Sequence, residues 1–312
     1  MKSRKIGGVR IDFDLSYSDV LAAIDRLIAT TGSHYLWTPN PEFVIDAQKD
    51  KDFKRLLNES AVSIADGAGL LFADKYLDWA EKTRAKILDN TLGNNVIGKY
   101  IVFPAASFVY GTWFGFSTPF INRNLGTRVT GADLIFKISE HAQEKGYSIF
   151  LLGGWEKDKW GRSMPTSGRV AEKAADVLKQ KYPKLKVVGA SSEFKRGPED
   201  DKRTLEFIHG KMKEAGVDKV DIIFVCYNHI YQEKWLKRNI REIPAKVGLG
   251  TGGALDYVIG TQRRSPIGFI RKHLEWLYKL FTQPWRWKRI ITAFPIFPLF
   301  VYYLSVKDDP NT

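Results

Sequence analysis

Apolar residues recur along this chain in two alternating rhythms. Between residues 18 and 30, Val20, Leu21, Ile24, Leu27 and Ile28 fall three and four apart, the spacing of one helix face. Gly32 then ends the pattern before a short apolar run from Tyr35 to Trp37. The same reading predicts a helix over 42–60, a strand over 61–65 and a helix over 67–79. After Arg128 the rhythm resumes, with helices over 132–145, 169–181, 201–214 and 232–239 and strands over 149–152, 186–189, 221–226 and 245–249. Short strands that are apolar throughout, each joined to a helix, belong inside a parallel sheet covered on both faces. The expected fold class is therefore α/β, a doubly wound, mostly parallel, Rossmann-like sheet.

Two segments break the rhythm. The first, about 87–124, is rich in Phe, Gly and Pro and has no clean period. Its apolar part carries Phe103, Phe108, Tyr110, Trp113, Phe114 and Phe116. It reads as a lid on the core or as an element dipping into lipid, and packing against the protein is the simpler expectation. The second begins at Arg263, where a basic, Trp-rich helical segment leads into an apolar run over 290–306 interrupted by Pro295 and Pro298. Two prolines argue against a plain spanning helix. The expected organisation is an α/β core over 1–262, carrying the aromatic insertion, and a helical appendage over 263–312.

Charge sharpens the reading of that appendage. The chain of 312 residues has a formal net charge of +13. Arg263, Arg264, Arg271, Lys272, Lys279, Arg286, Lys288 and Arg289 crowd into it between Trp276, Tyr278, Trp285 and Trp287. Cations mixed with interfacial aromatics suit an anionic membrane surface. The alternative, a helix completing the core or a dimer contact, would bury this charge at a cost. A homo-oligomer stays open. No recognisable nucleic-acid module accompanies the charge, so nucleic acid is not an expected partner. The single cysteine, Cys226, excludes a disulfide framework within one chain, and residues 1–14 lack the apolar core of a secretory signal. The expected place is cytoplasmic, peripheral on the inner face of the membrane.

Candidate chemistry lies at strand ends. Thr38-Pro39-Asn40-Pro41-Glu42 closes a strand and opens a helix, where ligands of such sheets bind; Asn40 as a simple helix cap is the plainer reading taken alone. Ala65-Asp66-Gly67 presents a carboxylate with small neighbours, a candidate general base that also fits a routine cap. Gly153 and Gly154 end a third strand and allow close backbone approach to a phosphate or ribose. The run Gly250-Thr251-Gly252-Gly253 is similarly placed but lacks the lysine of a phosphate-cradling loop, and no dinucleotide fingerprint is present. The five histidines lie apart without ligand spacing, and no Asp-x-Asp pair ends a strand. Transfer chemistry without metal or cofactor is expected.

Taken in order, these motifs resemble the WecG/TagA/CpsF glycosyltransferases. The matching pieces also include Arg128-Val129-Thr130-Gly131-Ala132-Asp133-Leu134, Gln232-Glu233, Asp256, Arg264-Ser265-Pro266 and Glu275-Trp276-Leu277-Tyr278. The resemblance implies inverting transfer of N-acetylmannosamine, its uronic acid or a related sugar from a UDP-sugar donor. The implied acceptor is a sugar on polyprenyl diphosphate, in teichoic acid or cell-surface polysaccharide assembly. By position it implies Asp66 as base, Thr38 and Asn40 lining the pocket, Arg128 and Gln232 at the donor or its diphosphate, and Asp133 positioning the sugar. Gly153, Gly154, Gly252 and Gly253 join that pocket, and Arg263, Arg264, Arg286 and Arg289 are the appendage's candidates for the diphosphate and the membrane. The chain departs from the family pattern at Tyr227-Asn228-His229-Ile230-Tyr231 and at Ala65, which stands where a proline is common. A non-catalytic protein binding polyprenyl phosphates is the alternative from another class, and a sugar-nucleotide epimerase the rival enzyme.

Overall fold

A computed structural model describes residues 2–88, 97–119, 125–158 and 160–307. The chain opens with an antiparallel hairpin, β1 (Lys2–Ile6) and β2 (Val9–Phe13). Next come α1 (Tyr17–Ala29), β3 (His34–Trp37), α2 (Pro41–Ala47), α3 (Lys51–Asn58), β4 (Val62–Ser63) and α4 (Ala68–Leu88). After α5 (Phe103–Ser117) and α6 (Gly131–Lys145) follow β5 (Ser148–Gly153), α7 (Val170–Lys181), β6 (Lys186–Ser191), α8 (Asp201–Glu214), β7 (Val220–Cys226), α9 (Tyr231–Asn239) and β8 (Ala245–Gly250). The chain closes with α10 (Ala254–Val258), α11 (Ile267–Arg271), α12 (Glu275–Thr282), α13 (Trp287–Ile291) and α14 (Phe297–Val306).

Among the described residues, six strands form a sheet in the order β4-β3-β8-β7-β5-β6, with every adjacent pair parallel. The central strands are buried on both faces, which is why they read as unbroken apolar runs. On β7, Val220, Ile223 and Val225 face one hydrophobic cluster while Ile222, Phe224 and Cys226 face the other. One cluster takes residues from α1, α6, α7 and α10; the opposite one takes them from α2, α3, α4, α8, α9 and α14. This is the doubly wound arrangement, and it opens all the strand-to-helix turns on one edge.

Several boundaries differ from the periodic reading. The helix expected over 42–60 is two helices, because Asp50 accepts a hydrogen bond from the Phe53 amide at 2.9 Å and starts α3 afresh. The strand expected over 61–65 pairs with β3 only at Val62 and Ser63. It lies at the sheet edge, where its outer side meets β2 through one bridge, Asp12 to Ile64. Asp12 is buried and accepts the Ser63 amide at 2.9 Å, so the hairpin holds this edge in place. The helix expected over 67–79 continues to Leu88.

The aromatic insertion contains α5, which has apolar residues around its whole circumference and hence no period to detect. Residues 89–96 and 120–124 of the insertion lie outside the described residues. The expected break in the C-terminal run is present: Phe294 leaves helical geometry (φ −159°, ψ 117°) just before Pro295. Pro284–Val306 is long and apolar enough to cross a membrane by length and composition, yet this kink divides it. The inner face of α14 completes the core through Phe297, Val301 and Leu304.

Phe297 is fully buried against Gly69 and the α2 side of the core. Replacing it with alanine leaves a cavity, and Phe297→Ala is expected to cost about 3–5 kcal/mol. The check is the shift of the urea unfolding midpoint at unchanged slope; no shift would mean that α14 does not complete the core in solution.

Candidate active site

The crevice at the carboxyl edge is built from three turns. Thr38 follows β3, is buried, and donates weakly to the Gly250 carbonyl at the end of β8, 3.5 Å away. Asp66 follows β4; its amide bonds to the Pro39 carbonyl at 2.8 Å, tying the two turns together. Gly131 opens α6 opposite them. A β-carbon there would lie 3.4 Å from Thr38 Oγ1 and 3.8 Å from Asp66 Oδ2, so a larger residue would narrow the crevice.

Asp66 lies in a divided electrostatic field. Burial dominates and raises its carboxyl above the ordinary carboxylate range; Arg128, Lys279 and the Gly131 amide pull it down, and Glu275 pushes it up. Arg128 and Glu275 form an ion pair across the crevice. Lys279, one turn further along α12, is lowered by burial in spite of Glu275, and Arg286 adds to the lowering. A carboxyl group held in this way is a stronger base than a free one when ionised.

The N-terminus of α6 is fixed by a polar cluster. Thr130 caps the helix, and its hydroxyl donates to Asp133 at 2.8 Å. Arg264 donates to that hydroxyl at 2.7 Å, forms an ion pair with Asp133 and lies over the Tyr257 ring at 5.2 Å. Tyr17 from α1 donates to the Asp133 carboxylate at 3.3 Å. Burial works against ionising Asp133, but Arg264 and Thr130 outweigh it and hold the carboxyl below its usual value. These contacts tie the start of α6 to the segment between α10 and α11 that carries Arg264.

On the β8 side, Gln232 accepts the Gly252 amide at 2.9 Å and donates to Glu233 at 2.7 Å. Gly252 has φ +55° and open space where a β-carbon would stand, which suits close approach by a ligand. Lys157 pairs with Asp256 beside Gly253. Gly153 and Gly154 are closely packed: both have positive φ, a β-carbon on Gly153 would strike the Tyr227 ring at 2.7 Å, and the Gly154 amide is bonded to the Cys226 carbonyl at 2.9 Å.

Of the residues singled out by sequence, Thr38, Asp66, Arg128, Asp133 and Arg264 meet around the α6 N-terminus. Asn40 spends its side-chain oxygen capping α2, accepting the Glu42 and Phe43 amides at 2.9 and 3.3 Å. Arg289 donates to Glu42 at 2.7 Å, and Arg286 is lowered by burial and by Arg289 beside it, a crowding of cations that an anion would relieve. Arg263 is exposed. Sequence spacing did not reveal Glu275 and Lys279 as partners of Asp66, since α12 reaches it only through folding. Nor did it reveal Glu42, Asp46 and His229, whose ligand atoms lie within 4.8 Å of one another and form the one group among the described residues with metal-ligand chemistry. His229 bonds Asp46 at 2.9 Å and lies 3.9 Å from Glu42, which Arg289 also holds.

Residues 4–93 and 115–309 match the description of the glycosyl transferase WecG/TagA/CpsF family. The chain belongs to that family. It is similar to the N-acetylglucosaminyldiphosphoundecaprenol N-acetyl-beta-D-mannosaminyltransferase of Bacillus subtilis (strain 168), at 25% identity over 255 residues, 82% of this chain and 74% of the relative. A protein of the same name from Staphylococcus aureus (strain MRSA252) is 23% identical over 304 residues, 96% of this chain and 92% of the relative. This WecG/TagA/CpsF-family chain is accordingly a glycosyltransferase. Residues 94–114, which include most of α5, fall between the two matched stretches.

Glu233 of this glycosyltransferase is fully buried, and burial pushes its carboxyl up to about 7 against the bond from Gln232 and the pull of His229. The folded state therefore favours the protonated form, and the stability this gives is present below about pH 4.5 and lost as pH rises through about 7. Glu233→Gln is expected to match the parent at the acid end of this window and to become progressively more stable than it above. Parallel urea titrations across the window check this; a constant gap at every pH would refute it.

Proposed function

We infer that this glycosyltransferase moves N-acetylmannosamine from a UDP donor to the N-acetylglucosamine of a polyprenyl-diphosphate-linked acceptor, with inversion. The observation that carries the reading is Asp66, a carboxylate at the carboxyl edge of the sheet, enclosed by Arg128, Lys279 and the start of α6. The names of the relatives supply the sugars, and their lipid-linked acceptor supports work at the membrane's inner surface.

In this mechanism the Asp66 carboxylate takes the proton of the acceptor hydroxyl as its oxygen attacks the anomeric carbon. The bond to UDP breaks and its electron pair leaves with the diphosphate. Arg128, Lys279 and Arg286 supply positive charge at the crevice, and the α6 N-terminus adds its partial charge. Gly252 and Gly253 offer a backbone approach for the donor, and Arg264 keeps α6 aligned through Asp133. This charge does the work that a divalent ion does in other sugar transferases, so transfer proceeds without metal. The product feeds assembly of a cell-surface polymer such as teichoic acid.

Acceptor-dependent UDP release from UDP-N-acetylmannosamine, measured with EDTA present, tests the whole reading. Asp66→Asn is expected to lower kcat by about 10²–10⁴-fold with little change in donor KM. The acid limb of the parent's kcat/KM profile is expected above the ordinary carboxylate value of 3.8. Full activity in Asp66→Asn would remove the base. Activity lost in EDTA and restored by a divalent ion would overturn metal independence and direct attention to Glu42, Asp46 and His229.

A further inference from the structure

Among the described residues, the aromatic insertion has an outer face whose large apolar side chains are exposed. Residues 100–122 contain no Asp, Glu, Lys or Arg, and neither do residues 290–306. These two uncharged stretches, nearly two hundred residues apart in sequence, meet in the fold as α5 and α14. Tyr76 of α4 joins them: its hydroxyl donates to the Ser107 carbonyl of α5 at 3.1 Å and lies 3.1 Å from Ser305 Oγ of α14. The Tyr110 ring stacks on Trp79 at 3.8 Å, and Phe108 meets Tyr302 edge-on at 5.6 Å. Gly111 permits the close approach, since a β-carbon there would lie 2.9 Å from the Tyr76 ring.

With Phe103, Ser107 and Phe114 turned inward, the opposite side of α5 presents Phe108, Val109, Trp113 and Phe116, of which Val109 and Phe116 are each 66% exposed. These four, with Thr112 and Ser117, line a shallow groove on the outer surface of the helix. Beside it α14 exposes Leu299 and Tyr303. An apolar face of this extent costs free energy in water and demands an occupant.

We propose that the α5 and α14 faces form one platform that enters the hydrocarbon of the lipid bilayer, with α5 as its anchor. The family match leaves residues 94–114 unmatched, which takes in Phe108, Val109 and Trp113 of this face, while Phe116 falls in the matched stretch. The charge pattern selects lipid. Among the described residues these stretches are bounded by cations, Lys99 on one and Arg289 and Lys307 on the other, with Lys288 and the half-exposed Trp287 alongside. Apolar side chains then reach the acyl region, tryptophan sits at the interface and the cations meet anionic headgroups. A second copy of the chain on the same face would bring two basic rims together.

The test is flotation of the full chain with phosphatidylglycerol–phosphatidylcholine vesicles, read without turnover and so independent of the donor and acceptor assigned above. Val109→Glu combined with Phe116→Glu is expected to lower the vesicle partition coefficient about tenfold or more. The unfolding midpoint should hold, because both side chains point away from the core. A second variant, Val109→Ile with Phe116→Leu, is expected to bind as the parent does. Quenching by brominated acyl chains should fall when Trp113 is replaced by Phe. Unchanged partition of the Glu variant would overturn the proposal, as would a parent dimer that the Glu variant dissolves while its vesicle binding stays intact.

Discussion

A carboxylate enclosed by protein must find compensating charge or give up its ionisation. Around Asp66 that compensation is assembled from distant parts of the chain: Arg128 from the approach to α6, the Gly131 amide from the helix start, and Lys279 from the appendage, with Glu275 restraining Arg128. The sheet brings the turns after β3, β4 and β8 to one edge, but it does not by itself make the edge chemically active. The appendage adds the charge. Core and tail are therefore parts of one site, although a reading by composition divides them at residue 262.

The parallel sheet was legible because its strands obey a simple rule. A strand buried on both faces is apolar throughout, and β5, β7 and β8 stand out on that ground. Where the rule weakens, so did the reading. β4 lies at the sheet edge and shrinks to two paired residues, and α3 begins at a polar cap inside what looks like one long amphipathic stretch. α5 is apolar on all sides, so periodicity had nothing to register; its two faces differ in what they touch, and touching is a property of the fold.

The site was legible to the extent that it hangs on strand ends. Thr38 and Asp66 could be named because small, polar or charged residues follow apolar runs there, whereas Arg128 was named by the family resemblance alone. Gly153 and Gly154 sit at an equally suggestive strand end, and the close packing of Tyr227 and Leu255 against them is a feature that their sequence does not announce. Glu275, Lys279 and the grouping of His229 with Asp46 and Glu42 carry no local signal, since each depends on elements brought together across the sheet edge.

α4 begins at Ala68, two residues beyond Asp66, and runs without interruption to Tyr76 and Trp79, where α5 and α14 are fastened. One helix thus has the crevice with Asp66 at its start and the exposed apolar face of α5 and α14 fastened along its length. A rigid helix transmits displacement along its axis, so a shift of the platform is also a shift of the turn bearing Asp66. If the proposed platform seats in lipid and Asp66 is the proposed base, a single lever links the depth of the one to the alignment of the other.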